Sequence, residues 1–104
     1  MKVQHVLMLT AGILLSNAAM ADDGAALMKK NNCLACHQVE KKTVGPAIKA
    51  IAEKYAADAG AADKLAAKVR KGGAGNWGTM AMPPQPKLTD DDIKAMVAYV
   101  LSVK

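Results

Sequence analysis

Residues 33–37 of this 104-residue chain read Cys33-Leu34-Ala35-Cys36-His37. After residue 21, these five positions hold both cysteines and the one histidine. The spacing C-x-x-C-H is the attachment sequence of a c-type haem, in which two thiols bond to the porphyrin vinyl groups and the adjacent imidazole binds the iron. The motif therefore predicts Cys33 and Cys36 as attachment points and His37 as an axial ligand.

Other uses of these three residues explain the sequence less well. A disulfide between the cysteines would close a four-residue ring that constrains little of the unfolded chain, and it would leave His37 without a role. A redox-active dithiol needs a βαβ context, which is absent from the sequence pattern. A zinc site needs a fourth ligand, and no further Cys or His follows residue 21. Covalent haem is the interpretation that uses all three residues.

The first 21 residues differ in kind from the rest. Lys2 supplies a positive start, residues 6–15 form an apolar run, and Ala19-Met20-Ala21 is a small-x-small cleavage site. A membrane anchor is disfavoured because the run is half the roughly 20 residues that a spanning helix needs. The pattern predicts a cleaved signal peptide over residues 1–21, a periplasmic location and one mature domain over residues 22–104.

Composition limits what the mature domain is able to do. It contains no Phe and one Trp, so side chains alone would build a small core, and a large apolar cofactor would complete it.

Without Lys2, 13 basic and 9 acidic residues leave a formal net charge of +4. The lysines are scattered and no aromatic-lined basic groove is visible, which argues against nucleic acid and favours acidic protein partners.

Apolar residues recur at helical spacing, which predicts an all-α domain of about four helices packed around one haem. Thr89 is the predicted N-cap of the last helix, which should pack across the first. Residues 72–87, GGAGNWGTMAMPPQPK, are predicted to lack regular structure because of their glycines and three prolines. The other predicted helices are about Gly24–Asn32, a helix that follows Gly45 with Pro46 in its first turn, and about Ala62–Lys71 with a left-handed cap at Gly72-Gly73.

The candidates for a sixth ligand of the iron are methionines, because no second histidine follows residue 21. Met28 and Met96 lie on helix faces, where methionine is usually a core filler. Met80 and Met82 lie in the long loop. The Pro83-Pro84 pair would hold a neighbouring thioether with little freedom, which favours Met82.

The motif CLACH and the segment NWGTMAMPP at residues 76–84 together resemble the small bacterial class I cytochromes of the c-551/c-552 type, over essentially the whole mature chain. The resemblance implies that Met82 is the sixth ligand and that Met80 occupies a plain apolar position. It also implies that the Pro46 carbonyl accepts the second imidazole hydrogen of His37, which fixes the tautomer.

Further expectations about the haem surroundings come from the same resemblance. Trp77 and Lys68 are expected near the haem propionates. The chain departs from the family at Gln85, where Asn often follows Met-Pro-Pro and hydrogen-bonds near the methionine sulfur, and it has about one extra residue before the last helix.

A haem with both axial positions occupied has no vacant site for a substrate, so we expect a single-electron carrier of relatively high potential and not an enzyme. A ligand-binding sensor with an open sixth position and a peroxidase-like enzyme are the alternatives. We expect a monomer that docks respiratory redox partners through lysines beside the attachment motif, the candidates being Lys29, Lys30, Lys41 and Lys42.

Overall fold

In the computed structural model, which describes residues 22–104, four α-helices are joined by loops and one β-hairpin. The prediction of a small, mainly helical domain is confirmed, while the predicted signal peptide lies outside the described residues. No helix within residues 22–104 has the length and apolar character needed to cross a membrane. The elements are α1 (residues 22–30), a 3-10 turn (Cys33–Ala35), α2 (Ile48–Tyr55), α3 (Ala61–Lys71), β1 (Gly73–Gly75), β2 (Gly78–Met82) and α4 (Asp90–Ser102).

The core lies around α4, which packs against both α2 and α3. Its members on α4 recur at i, i+3 and i+4, the spacing of a helix that buries one face. Met28, on α1, belongs to the same cluster and fills the space beside α4. The buried cluster consists of Met28, Ile48, Ile93, Met96 and Val97.

Helix α1 crosses α4 at Gly24, which confirms the predicted packing of the last helix on the first. A β-carbon on Gly24 would collide with the carbonyl oxygen of Ala95 and would lie 2.7 Å from the β-carbon of Tyr99. Gly24 is itself buried. Because glycine has no side chain, the two helix backbones approach closely at this point.

The predicted cap of α4 is also present. The hydroxyl of Thr89 accepts a hydrogen bond of 3.0 Å from the backbone N–H of Asp92, and the first turn carries three aspartates. The carboxylates lie at the positive end of the helix dipole, where they stabilise the helix start.

Two helix ends differ from the prediction. Pro46 does not occupy the first turn of α2, which begins at Ile48 with Ala47 as an extended N-cap at φ −60° and ψ 142°. The physical reason is that the Pro46 carbonyl is used by a side chain outside the helix. Helix α1 ends at residue 30 and not at Asn32, because Asn32 adopts a left-handed φ of 61°.

The prediction that residues 72–87 lack regular structure is wrong for their first part. Strands β1 and β2 pair antiparallel, with Gly73 opposite Met82 and Gly75 opposite Gly78, and the register is irregular between the two pairs. These three glycines have φ values of 114° to 118°, which L side chains rarely adopt, so they make the tight hairpin possible. The prolines lie after β2, where they interrupt no strand hydrogen bond.

Candidate haem site

An apolar cleft opens between the helical core and two loops. One side of the cleft is the segment that carries the C-x-x-C-H motif, and the opposite side is the β-hairpin with the residues that follow it. Apolar side chains of all four helices form the floor. Lining residues include Cys33, Cys36, His37, Gly45 and Pro46 on the first side, Trp77, Met80, Met82 and Pro83 on the second, and Met28, Ile48, Leu65, Val69, Met96 and Val100 on the floor.

The imidazole of His37 is held by one hydrogen bond in a defined tautomer. Its Nδ1 lies 2.9 Å from the carbonyl oxygen of Pro46, the contact that the family resemblance implied. Because a carbonyl oxygen only accepts, Nδ1 carries the hydrogen and Nε2 keeps its lone pair. A histidine in this tautomer is prepared to bind a metal ion through Nε2, and the hydrogen bond fixes the orientation of the ring.

Gly45 is a site residue that the sequence reasoning missed. A β-carbon on Gly45 would lie 2.6 Å from Cε1 and 2.9 Å from Nδ1 of His37, so the ring rests against the glycine backbone. The N–H of Gly45 donates a 2.8 Å hydrogen bond to the Cys36 carbonyl, which also accepts a 2.7 Å bond from the Thr43 hydroxyl. In the sequence, the Gly45-Pro46 pair before α2 indicates only the start of a helix, and nothing in it points to the contact with His37.

Both cysteines are half-buried and face the cleft as unbridged thiols. The 3-10 turn that carries them is closed by hydrogen bonds from the N–H groups of Cys36 and His37 to the Cys33 carbonyl. Burial raises the pKa of the Cys33 thiol, with a smaller lowering effect from the backbone and a further raising effect from Cys36. The turn therefore places two thiols and one imidazole along the same edge of the cleft.

The two loop methionines are in different surroundings. Met82 is half-buried at the end of β2, whereas Met80 is 69% exposed although it reaches the cleft rim. Met28 and Met96 are buried in the helical core and form part of the cleft floor.

Gly72 brings the end of α3 against the backbone that follows Met82. A β-carbon on Gly72 would collide with the Met82 carbonyl oxygen and would lie 2.8 Å from the nitrogen of Pro84. Gly72 ends α3 with a φ of 67° and a ψ of −158°. The predicted left-handed cap is therefore wrong, because this ψ lies outside the left-handed region and directs the chain into the hairpin. The backbone that carries Met82 is therefore fixed to α3 at close range.

Trp77 and Lys68 line the cleft near the hairpin, and the structure adds Lys54 as a partner of the tryptophan. The Lys54 ammonium lies 4.6 Å from the centroid of the Trp77 ring and donates a 3.2 Å hydrogen bond to the carbonyl of Asn76. Such a cation over a tryptophan face is attractive. Lys54 thus joins α2 to the tip of the hairpin.

The lysines proposed for docking are all exposed. They lie at the end of α1 and in the loop that follows His37, in the part of the surface that borders the attachment motif. These residues are Lys29, Lys30, Lys41 and Lys42.

Comparison with known proteins agrees with this site. A family model described as cytochrome c matches residues 21–104. Cytochrome c-552 of Nitrosomonas europaea is 49% identical over 94 residues, which cover 90% of this chain and 89% of the relative. Cytochrome c-551 of Stutzerimonas stutzeri is 43% identical over 103 residues, which cover 99% of this chain and 98% of that relative. The crystal structure of wild-type N. europaea cytochrome c552 matches with a TM-score of 0.73 and 52% identity, over 77% of this chain and 99% of that chain.

The chain therefore belongs to the cytochrome c family, and its class is that of the small class I c-type cytochromes. It carries one covalently attached haem c, transfers electrons to and from redox partner proteins, and is not an enzyme. The residues present fit the haem, because two thiols, an imidazole with a defined tautomer and an extended apolar surface all face one cleft.

Proposed function

We propose that this cytochrome c is a periplasmic carrier of single electrons whose low-spin haem iron has His37 and Met82 as axial ligands. The observation that carries the proposal is that one apolar cleft is lined both by His37, in a tautomer suited to metal binding, and by Met82. When bound, the haem supplies a one-electron couple between ferric and ferrous iron. The protein residues supply the two ligands of the iron and exclude water from it, so that the iron only exchanges electrons with partner proteins.

Met82 is favoured over Met80 by burial and by backbone restraint. Met82 is paired through its strand with Gly73, contacts Gly72 through its carbonyl and precedes Pro83, whose φ is fixed by its ring. Met80 lies in the exposed part of the hairpin. A ligand that must stay bound in both oxidation states is better supplied by the residue with less freedom.

The visible spectrum of the purified holoprotein tests the ligand set. We expect a low-spin spectrum with a sulfur-to-ferric-iron charge-transfer band, and no carbon monoxide binding by the reduced protein at neutral pH. Carbon monoxide binding would favour the ligand-binding alternative. Rapid turnover of hydrogen peroxide would favour the peroxidase-like alternative.

The periplasmic location is supported by the signal-peptide pattern of residues 1–21. Fractionation of cells that express the full chain tests it. We expect the haem-containing protein in the periplasmic fraction with Asp22 at its N-terminus. A cytoplasmic holoprotein that keeps residues 1–21 would contradict the proposal.

The exposed lysines beside the attachment motif support docking to partners with acidic surfaces. Electron transfer with an acidic partner should slow as ionic strength rises, because screening weakens steering. Replacing Lys41 and Lys42 by Gln should reduce the rate at low salt. Replacing Lys71 and Lys104 by Gln removes the same charge elsewhere and is the control. An equal effect of the two pairs, or a rate independent of salt, would argue against this surface.

A further inference from the structure

We propose that Arg70 is a positioning residue for the sixth ligand, because it holds the segment between Met82 and α4 against the end of α3. This inference depends on the proposed ligation by Met82. The guanidinium of Arg70 donates through Nη1 to the carbonyl oxygens of Gln85 at 2.9 Å and Leu88 at 2.6 Å. Nη1 also lies 3.3 Å from the carbonyl of Pro86, and Nη2 lies 2.8 Å from Oδ1 of Asp90.

The segment that Arg70 contacts, residues 83–89, has few backbone hydrogen bonds of its own to fix its conformation. Three of its seven residues are prolines, which have no backbone N–H to donate. It belongs to no helix or strand, and its backbone carbonyls still need hydrogen-bond donors. One backbone bond fastens it directly to α3, from the N–H of Gln85 to the carbonyls of Val69 at 3.1 Å and Arg70 at 3.2 Å. The guanidinium provides further donors at the same place.

The geometry connects these contacts with Met82. The segment begins at the residue after Met82 and ends at the start of α4, while Gly72 packs against its first residues. Arg70 and Gly72 are both at the C-terminal end of α3, so this helix end contacts the segment near Met82 and again from Gln85 to Asp90. Without Arg70, the second group of contacts would be reduced to the Gln85 backbone bond. The segment would then open locally more often, and Met82 would leave the iron with it.

The ion pair with Asp90 contributes little to this role. The Asp90 side chain is 99% exposed, whereas that of Arg70 is 31% exposed. An exposed ion pair is screened by water and salt. The carbonyl bonds are what matter, and all of them come from Nη1, whose two hydrogens are shared among the three carbonyl oxygens.

Cyanide binding to the oxidised holoprotein tests the proposal, because cyanide must wait for Met82 to leave the iron. We expect Arg70→Met to bind cyanide about tenfold faster than wild type, the effect of losing a small number of hydrogen bonds in the opening equilibrium. Arg70→Lys should be intermediate. Asp90→Asn should be close to wild type. Lys71→Met removes the same charge from an exposed neighbour and is the matched control.

A second readout does not depend on the haem. Hydrogen exchange at the Gln85 amide should become faster in Arg70→Met, whereas exchange at Val97, in the middle of α4, should change little. A lower melting temperature with wild-type cyanide kinetics and wild-type Gln85 exchange would show that Arg70 is merely stabilising, and would overturn the proposal.

Met82→Leu, measured in the same series, separates the two proposals. If Met82→Leu keeps the charge-transfer band, the ligand assignment fails and the Arg70 proposal fails with it. If Met82→Leu loses the band and Arg70→Met binds cyanide at the wild-type rate, only the Arg70 proposal is overturned.

Discussion

The imidazole ring of His37 rests on Gly45 so closely that a β-carbon at position 45 would come within 2.6 Å of Cε1. Gly45→Ala should therefore displace the ring and weaken its hydrogen bond to Pro46. We expect a loss of about 1–3 kcal/mol in the free energy of unfolding, the usual cost of overpacking. Denaturant unfolding of the holoprotein measures it, together with the reduction potential.

Gly60→Ala is the control for this substitution. A β-carbon on Gly60 would have its nearest contact at 3.5 Å, and its φ of −93° suits alanine. If the two alanine variants have the same free energy of unfolding and both keep the wild-type reduction potential, the close contact of Gly45 with the imidazole does not matter for function.

Met82→Leu and Met80→Leu should differ in kind. Loss of the Met82 thioether should abolish the charge-transfer band, lower the reduction potential and allow carbon monoxide to bind the reduced protein. Met80→Leu is a volume-conserving change at an exposed position and should cost under about 1.5 kcal/mol with the potential almost unchanged. The opposite result, with the band lost only in Met80→Leu, would move the ligand by two residues.

Folding should depend on haem attachment, because the cleft floor consists of apolar side chains that the haem covers. A variant with Cys33→Ala and Cys36→Ala, purified without haem, should be largely unstructured. Circular dichroism measures its helix content against that of the holoprotein. A cooperative thermal transition from a native-like helical signal would contradict this expectation.

The turn between α2 and α3 should make stability depend on pH. A hydrogen bond from Lys64 at 2.7 Å, and a second from the N–H of Gly60 at 2.8 Å, lower the pKa of the Asp58 carboxyl. A lowered pKa in the folded state stabilises the protein above the ordinary pKa of aspartate, about 3.9, and this contribution is lost as the pH falls through the folded value. Asp58→Asn should therefore destabilise the protein at pH 7 and should have progressively less effect below about pH 4.

A double-mutant cycle with Lys64→Met measures how much of this effect belongs to the pair. We expect a coupling at pH 7 that decreases at high salt, since Lys64 is exposed and Asp58 is only half-buried. A destabilisation by Asp58→Asn that is the same at pH 7 and pH 3 would show that the carboxylate charge has no part in it.

The parts of the fold that the sequence predicts depend on local patterns. Thr89 and the aspartates after it define the start of α4 within four residues, and the spacing of Ile93 and Met96 identifies its buried face. The β-hairpin could not be predicted in this way. A glycine such as Gly75 usually interrupts regular structure, whereas its φ of 114° is what the hairpin turn requires.

The missed site residues share a different cause. The contact of Gly45 with His37 joins residues eight positions apart through an irregular loop, and no periodicity describes it. Lys54 and Arg70 look like solvated residues of amphipathic helices. Their roles depend on backbone carbonyls 15 or more positions away, which only the folded chain brings within reach.

The contact of Lys54 with the hairpin has a consequence for α2. The first turn of this helix receives the loop that follows His37, through the N–H of Ile48 to the Gln38 carbonyl at 2.9 Å, and its last turn holds Asn76 through Lys54. The eight-residue helix, about 12 Å long, therefore sets the distance between the loop that follows His37 and the tip of the hairpin. Inserting one residue in it would rotate Lys54 by about 100° and detach the hairpin tip. Because both loops line the cleft, the length of α2 sets how far apart they are held.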